Sequence, residues 1–233
     1  VSLCAALLGV SLVLKRYSMI GDGLSHVSFG ALSIALAVGW SPLKVSIPLV
    51  TLAAFFLLRI TENGRIKSDA AIAMISASAL AVGIIVTSLS TGMTTDVGSY
   101  MFGSILARSR EDVLFAAALS AVVLCLFVFS YNKMFAVTFD ENFARATGVK
   151  VEFYNVLIAV LTAVTIVLGM RMMGAMLISS LIIFPALCSM RVFKSFRAVT
   201  ICSAVISVVT FIAGMVISYE LGTPRGASIV CVN

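Results

Sequence analysis

An aspartate and the only histidine in the chain stand four residues apart, Asp22 and His26, in the segment Gly21-Asp22-Gly23-Leu24-Ser25-His26. In a helix that spacing puts both side chains on one face, one above the other. A carboxylate and an imidazole so placed can grip one divalent cation. Mixed oxygen and nitrogen ligands suit zinc, manganese or ferrous iron. The same pair could relay protons. The plainer alternative is structural, with Asp22 capping a helix start and His26 bonded to a carbonyl. Depth weighs against it. A helix that starts near Ser18 puts His26 roughly 12 Å along its axis at ~1.5 Å per residue. That is near the middle of a hydrocarbon core about 30 Å thick. An ionisable group there costs roughly 2.5–3.5 kcal/mol on insertion scales, and a cap has no use for it. Two ligands are too few for tight, specific binding. A two-fold pair of chains would bring two Asp22 and two His26 together.

Other residue patterns are weaker. Gly174, Ala175, Ser179 and Ser180 cluster ahead of Pro185. Small residues let helices approach closely, and Pro185 is expected to interrupt its helix and free carbonyls. Packing explains this stretch, and the alternative is a pathway wall lined by Ser25, Ser179, Ser180 and Pro185. Asp96, Glu220 and Arg225 read as solvated loop residues, or as groups that receive an external binding protein. Met170-Arg171-Met172-Met173 reads as packing rather than a soft-metal site. Cys4, Cys125, Cys188, Cys202 and Cys231 show no metal or redox spacing and suit small apolar packing positions. The sequence holds no GxxxxGK[ST] loop, GxSxG or HExxH. It therefore lacks the usual parts of an ATPase, a hydrolase or a metalloprotease.

The elements that must hold these residues are apolar. Of 233 residues, 61% are hydrophobic and only 11% charged, with a mean hydropathy of +1.15. Soluble domains carry roughly 25% charged residues, so the chain lacks the polar atoms to cover a water-facing surface. Spans are expected at 1–14, 20–40, 43–60, 70–90, 112–131, 153–170, 173–190 and 198–219, with a further run from Ala227. The segment 97–107, VGSYMFGSILA, is too short to span and reads as a re-entrant or interfacial helix. The expected fold is all-α, a polytopic helical bundle of about eight spans plus that short helix, in one domain over 1–233. Both ends fall in apolar runs, so the chain reads as truncated at both. If the first span ends inside, the inside connections hold Lys15, Arg16, Arg59, Arg65, Lys67, Lys133, Arg145, Lys150, Arg191, Lys194 and Arg197. The outside holds Lys44, Arg108, Arg110, Arg171 and Arg225. That asymmetry favours the orientation. It also explains the net charge of +6 without nucleic-acid binding. The inside stretch 132–152 is either a helical linker on the membrane surface or a short helix that docks into a cytoplasmic partner.

Five segments together resemble the permease subunit of zinc/manganese/iron-type ABC importers. They are KRYSMIGDGLSHVSFGAL at 15–32, DVGSYMFGSILA at 96–107, FARATGVKV at 143–151, MGAMLISSLIIFPAL at 173–187 and LGTPRGASIV at 221–230. They occur in family order and cover nearly the whole chain. The resemblance implies a multi-pass permease of the bacterial cytoplasmic membrane, working as a homodimer or paired with another permease. Its partners would be cytoplasmic ATPase subunits, an extracytoplasmic metal-binding protein and membrane lipid. It implies a transported divalent metal at Asp22 and His26 and no permanently bound cofactor. It also implies an ATPase-coupling segment in 132–152, with Phe139, Asp140, Phe143, Ala144, Arg145 and Gly148. The chain would then perform no covalent chemistry, with ATP hydrolysis in a separate chain. The rival reading is a secondary metal transporter coupled to protons through Asp22 and His26. A membrane enzyme using Asp22 or Ser25 lacks a second catalytic acid or base.

Overall fold

The computed structural model describes residues 1–40, 42–62, 68–89 and 110–233. The expected short helix at 97–107, along with Arg65, Lys67, Asp96 and Arg108, lies outside them. Among the described residues all regular structure is helical. The order is α1 (Ser2–Leu14), α2 (Ile20–Val38), α3 (Pro42–Glu62), α4 (Ser68–Leu89), α5 (Arg110–Phe139), α6 (Glu141–Ala146), α7 (Val151–Met173), α8 (Ala175–Val192), α9 (Phe196–Leu221) and α10 (Arg225–Val232). Helices satisfy their own backbone groups, which an apolar medium demands. Six of them, α2, α4, α5, α7, α8 and α9, are long and apolar enough to cross a membrane. Helix α1 is apolar but shorter, and within α3 the described stretch Lys44–Leu57 is apolar. Six such helices stand where about eight spans were expected.

Burial separates centre from periphery. The apolar stretches of α2 and α7 are each 67% buried, against 17% for α4 and 22% for α5 and α9. On α5 and α9 the large side chains Leu114, Val128, Phe129 and Ile201 face outward. In water such faces would be an aggregation hazard, whereas in lipid they are the solvated surface. The centre is packed by Leu8, Leu12, Ile20, Leu24, Ile166, Leu177, Ile178 and Ile182, all fully buried.

Between apolar helices in lipid, close packing and interhelical hydrogen bonds replace the hydrophobic drive. Helix α2 lies along α3 and α4, and α1 lies along α8 and α9. At two crossings there is no room for a side chain. A Cβ on Gly30 would stand 2.7 Å from the Ala79 carbonyl of α4, and one on Gly9 would collide with the Ile182 carbonyl of α8. Hydroxyls on α9 fasten α1. Ser203 donates to the Ala6 carbonyl and Ser207 to that of Ser2, both at 3.2 Å.

Two boundaries differ from expectation. Helix α5 runs to Phe139 instead of stopping at 131, because Met134 and Val137 remain buried beyond the polar pair Asn132-Lys133. Pro185 lies inside α8, which continues through it to Val192. The break falls earlier, at Gly174, whose φ of +93° separates α7 from α8.

The short helix α6 is capped at both ends. Asp140 accepts from the backbone N–H groups of Asn142 and Phe143 at 2.9 and 3.0 Å, an N-cap arrangement. Gly148, with φ +80°, closes the other end while the Val149 N–H reaches the Ala144 carbonyl at 3.0 Å. Ala144 is buried against Val137 and Val151. Glu141 fastens α6 to α1, with its carboxylate 2.9 Å from Lys15 Nζ. Asn155 of α7 completes a triangle. Its Nδ2 donates to Glu141 Oε1 at 3.1 Å and its Oδ1 accepts from Lys15 Nζ. Burial pushes the Glu141 carboxyl up. The hydrogen bond and charge of Lys15, the Asn155 amide and the Arg145 charge outweigh it and hold the group below the ordinary glutamate range.

Replacing Gly9 by Ala forces α1 away from α8. The expected loss is about 1–3 kcal/mol, read as a lower melting temperature in detergent; an unchanged melting curve would contradict the close crossing. Because folding favours the Glu141 carboxylate, its stabilising contribution is complete above the unfolded-state value of about 4.3 and disappears as pH falls through the lower folded-state value. Hydrogen exchange of the α6 amides should therefore be slower in the wild type than in Glu141→Gln at neutral pH. The difference should close as pH falls through that lower folded-state value, and a difference that persists once the carboxyl is protonated would show that its charge is not the source.

Candidate functional site

Helix α2 places Asp22 and His26 on consecutive turns of a mostly buried span. Its N-cap, Met19, makes no side-chain cap bond, and Asp22 sits in the first turn. The capping alternative therefore does not describe this helix start. The Asp22 carboxylate turns instead toward His26, with Oδ1 3.6 Å from Nε2. The His26 side chain is 17% exposed and that of Asp22 47%, so the pair opens outward through the carboxylate. Since α2 begins at Ile20, His26 lies roughly 9 Å along it at ~1.5 Å per residue. That is nearer one end of the span than the midplane position expected.

Two glycines hold Asp22 in place by their lack of a side chain. A Cβ on Gly21 would meet Ile182 Cδ1 at 3.2 Å and Ser179 Cα at 3.4 Å on α8, and one on Gly23 would collide with Ile72 of α4. Helix α2 is thus wedged between α8 and α4 at the level of the carboxylate. The geometry suits cation capture. Two ligands each about 2.0–2.1 Å from a tetrahedral ion stand roughly 3.3 Å apart, a small closure from 3.6 Å. Among the described residues no group of three His, Cys, Asp or Glu side chains forms.

The other expected pathway residues are near but inward-bonded. Ser25 is fully buried and donates to the Asp22 carbonyl at 2.7 Å. Ser179, beside Gly21, donates to Ala175 O at 3.0 Å, and buried Ser180 to Leu177 O at 2.9 Å. Pro185 is buried in α8, and its carbonyl accepts from Ser189 Oγ at 2.6 Å.

At the end of the bundle marked by α6, Asp140, Phe143, Arg145 and Gly148 are exposed and Ala144 is not. Phe143 is 63% exposed on a six-residue helix that ion-pairs inward through Glu141. Phe139 is also exposed, yet it stacks on Phe135 and Phe196 with centroids 4.9 and 6.1 Å apart. It joins α5 to α9 as well as facing outward. A cleft of about 520 Å³ beside α6 is lined by Lys133, Thr147, Gly148, Val149, Lys150, Phe153 and Tyr154. The Lys133 ammonium lies 5.8 Å over the Tyr154 ring.

Sequence reasoning missed the Lys15–Glu141–Asn155 triangle. Lys15 counts there only as one of the basic residues that set orientation, and Asn155 is hidden in an apolar run. A lone amide in that run was the available signal, but its partners lie 14 and 140 residues away. The buried hydroxyls of Thr162 and Thr165 on α7, which have no hydrogen-bond partner among the described residues, were also missed.

Known membrane transport proteins resemble this chain along nearly its whole length. The manganese import system permease protein ScaB of Streptococcus gordonii is 29% identical over 233 residues, spanning 100% of this chain and 84% of ScaB. The high-affinity zinc uptake system membrane protein ZnuB of Haemophilus influenzae is 25% identical over 229 residues, 98% of this chain and 88% of ZnuB. A solved structure, PsaBC from Streptococcus pneumoniae in complex with Fab, matches with a TM-score of 0.86 at 29% identity, covering 99% of this chain and 83% of that one. The apolar helices and these relatives make the protein a multi-pass inner-membrane protein. The sequence pattern of the ABC 3 transport family matches residues 1–233, and the chain belongs to that family.

Proposed function

We propose that this chain is the membrane-spanning permease of an ABC importer that moves a divalent metal ion, zinc or manganese and by the same ligand chemistry iron, into the cytoplasm. The observation that carries this reading is the Asp22–His26 pair, 3.6 Å apart on a mostly buried helix, in a family whose relatives include manganese and zinc permeases. The ion is substrate and no cofactor is permanently bound. One chain supplies two ligands, and the half-exposed carboxylate leaves room for more. A second permease copy across a two-fold axis would add another Asp22 and His26. In this reading the whole chain is a single permease domain, and α1 and α3 also cross the membrane, which gives about eight spans.

Energy enters through partner ATPase subunits at the α6 end, since the chain has no phosphate loop of its own. The segment 132–152 is the coupling element, with Phe143, Arg145 and Gly148 facing the ATPase and Asp140 and Ala144 shaping the helix that presents them. Phe139 contributes at its edge. An extracytoplasmic metal-binding protein delivers the ion at the opposite face. Closure of the ATPases re-aims α1 and α2, and the ion passes Ser25, Ser179, Ser180 and Pro185. The site holds the ion briefly, because conduction needs release as well as binding.

Radiolabelled zinc and manganese uptake into proteoliposomes that hold the permease, its ATPase and its binding protein tests the reading. Uptake should require ATP and fall by about 10²-fold or more in Asp22→Ala/His26→Ala, as loss of a ligand pair implies. Uptake by the permease alone that an uncoupler abolishes would replace this reading with a proton-coupled transporter. ATP-dependent uptake untouched by the double variant would return Asp22 and His26 to structural roles.

A further inference from the structure

The triangle of Lys15, Glu141 and Asn155 stands apart from the metal-binding pair but beside the corner that precedes it. Lys15 caps the C-terminus of α1, and Arg16 follows with φ +63°. The Tyr17 N–H closes that turn on the Leu12 carbonyl at 2.9 Å. Among the described residues the other helix ends of this kind use Gly39, Gly148 and Gly222. A non-glycine residue in that region costs about 1–2 kcal/mol, and such strain persists only where surrounding contacts over-determine it. Here the contacts are visible. Arg16 O accepts from Ser68 Oγ at the start of α4 at 3.4 Å. The neighbouring Lys15 is pinned by Glu141 at 2.9 Å and by the Asn155 amide. After the corner, α2 begins at Ile20 and reaches Asp22 within its first turn.

The ammonium end of the tie is shielded from water, while the Glu141 side chain is 42% exposed. The Lys15 side chain is 9% exposed and Asn155 6%. An ammonium buried to that degree is costly once its partner is removed. Helix α6 otherwise rests on its own chain neighbours, with Ala144 against Val137 and Val151. The ion pair connects it to α1, 126 residues away in sequence.

We infer that Lys15 is a positioning residue for transport: through Glu141 and Asn155 it ties α6 to the Arg16 corner, so that displacement of α6 is delivered to the start of α2 and to the Asp22–His26 pair. This rests on the reading of α6 as the ATPase-facing element. A rigid tie transmits a push and a pull alike. With the tie cut, α6 stays bonded to α7 through Asn155 but can move against α1, while α2 stays where Gly21 and Gly23 wedge it. ATP hydrolysis then continues without movement at the ligands. The signature is a change in stoichiometry rather than loss of either activity alone.

The test uses the full complex of permease, ATPase and binding protein in proteoliposomes, with ATP hydrolysis and metal uptake measured in the same sample. Lys15→Met should assemble with the ATPase and hydrolyse ATP, but move about tenfold less metal per ATP, within the 5–150-fold range of typical coupling energies. Glu141→Gln should show a smaller fall. The exchange Lys15→Glu/Glu141→Lys should recover most of the ratio, because it restores the ion pair in reverse. An unchanged ratio in an assembled Lys15→Met complex would overturn the inference. So would loss of assembly that the exchange does not restore, since Lys15 would then hold the fold and not the coupling. Failure of the wild-type complex to take up metal with ATP would instead fault the functional reading beneath it.

Discussion

Close contact at Ile182 sets the position of everything else near Asp22 and His26. Its carbonyl meets Gly9 of α1, its side chain meets Gly21 of α2, and the residue is fully buried. Three helices therefore converge where no Cβ fits on α1 and one on α2 would be tight against the end of the Ile182 side chain. In lipid the hydrophobic effect does not drive apolar helices together, so van der Waals contact of this kind must do it. The same contact decides which way α2 faces. With Gly21 against α8 and Gly23 against Ile72 of α4, the residue between them is held on the remaining arc of the helix. That residue is Asp22. Its exposure follows from the identity of its two neighbours rather than from any partner of its own.

Much of this was legible in the sequence because a membrane leaves few options. Backbone groups in an apolar medium must be paired internally, so apolar runs become helices, and 20–40 and 173–190 fall within two residues of α2 and α8. The misjudged end of α5 has a physical cause. Asn132 and Lys133 look like the edge of a span, but a helix continues for as long as it has something to pack against, and Met134 and Val137 are buried. Pro185 was expected to interrupt α8. Proline removes one backbone donor, and here the helix absorbs that loss. The Asp22–His26 contact was readable because its spacing is local. The Lys15–Glu141–Asn155 triangle was not, since it joins residues that no periodicity relates. The strain at Arg16 was equally hidden, because an arginine gives no hint of a left-handed backbone.

Charge placement gives the two polar clusters a common logic. An ion pair only half out of water is weak grounds for stability, because desolvation of its buried end offsets much of the attraction. Lys15 and Glu141 could by that measure be replaced by a leucine pair at little cost to folding. What an apolar pair would lack is direction. Lys15 donates to the Glu141 carboxylate and the Asn155 amide oxygen at once, and meeting both fixes the distance from α6 to the α1–α2 corner more tightly than apolar contact would. Asp22 and His26 stand on the other side of that corner, on a helix wedged against α8 and α4.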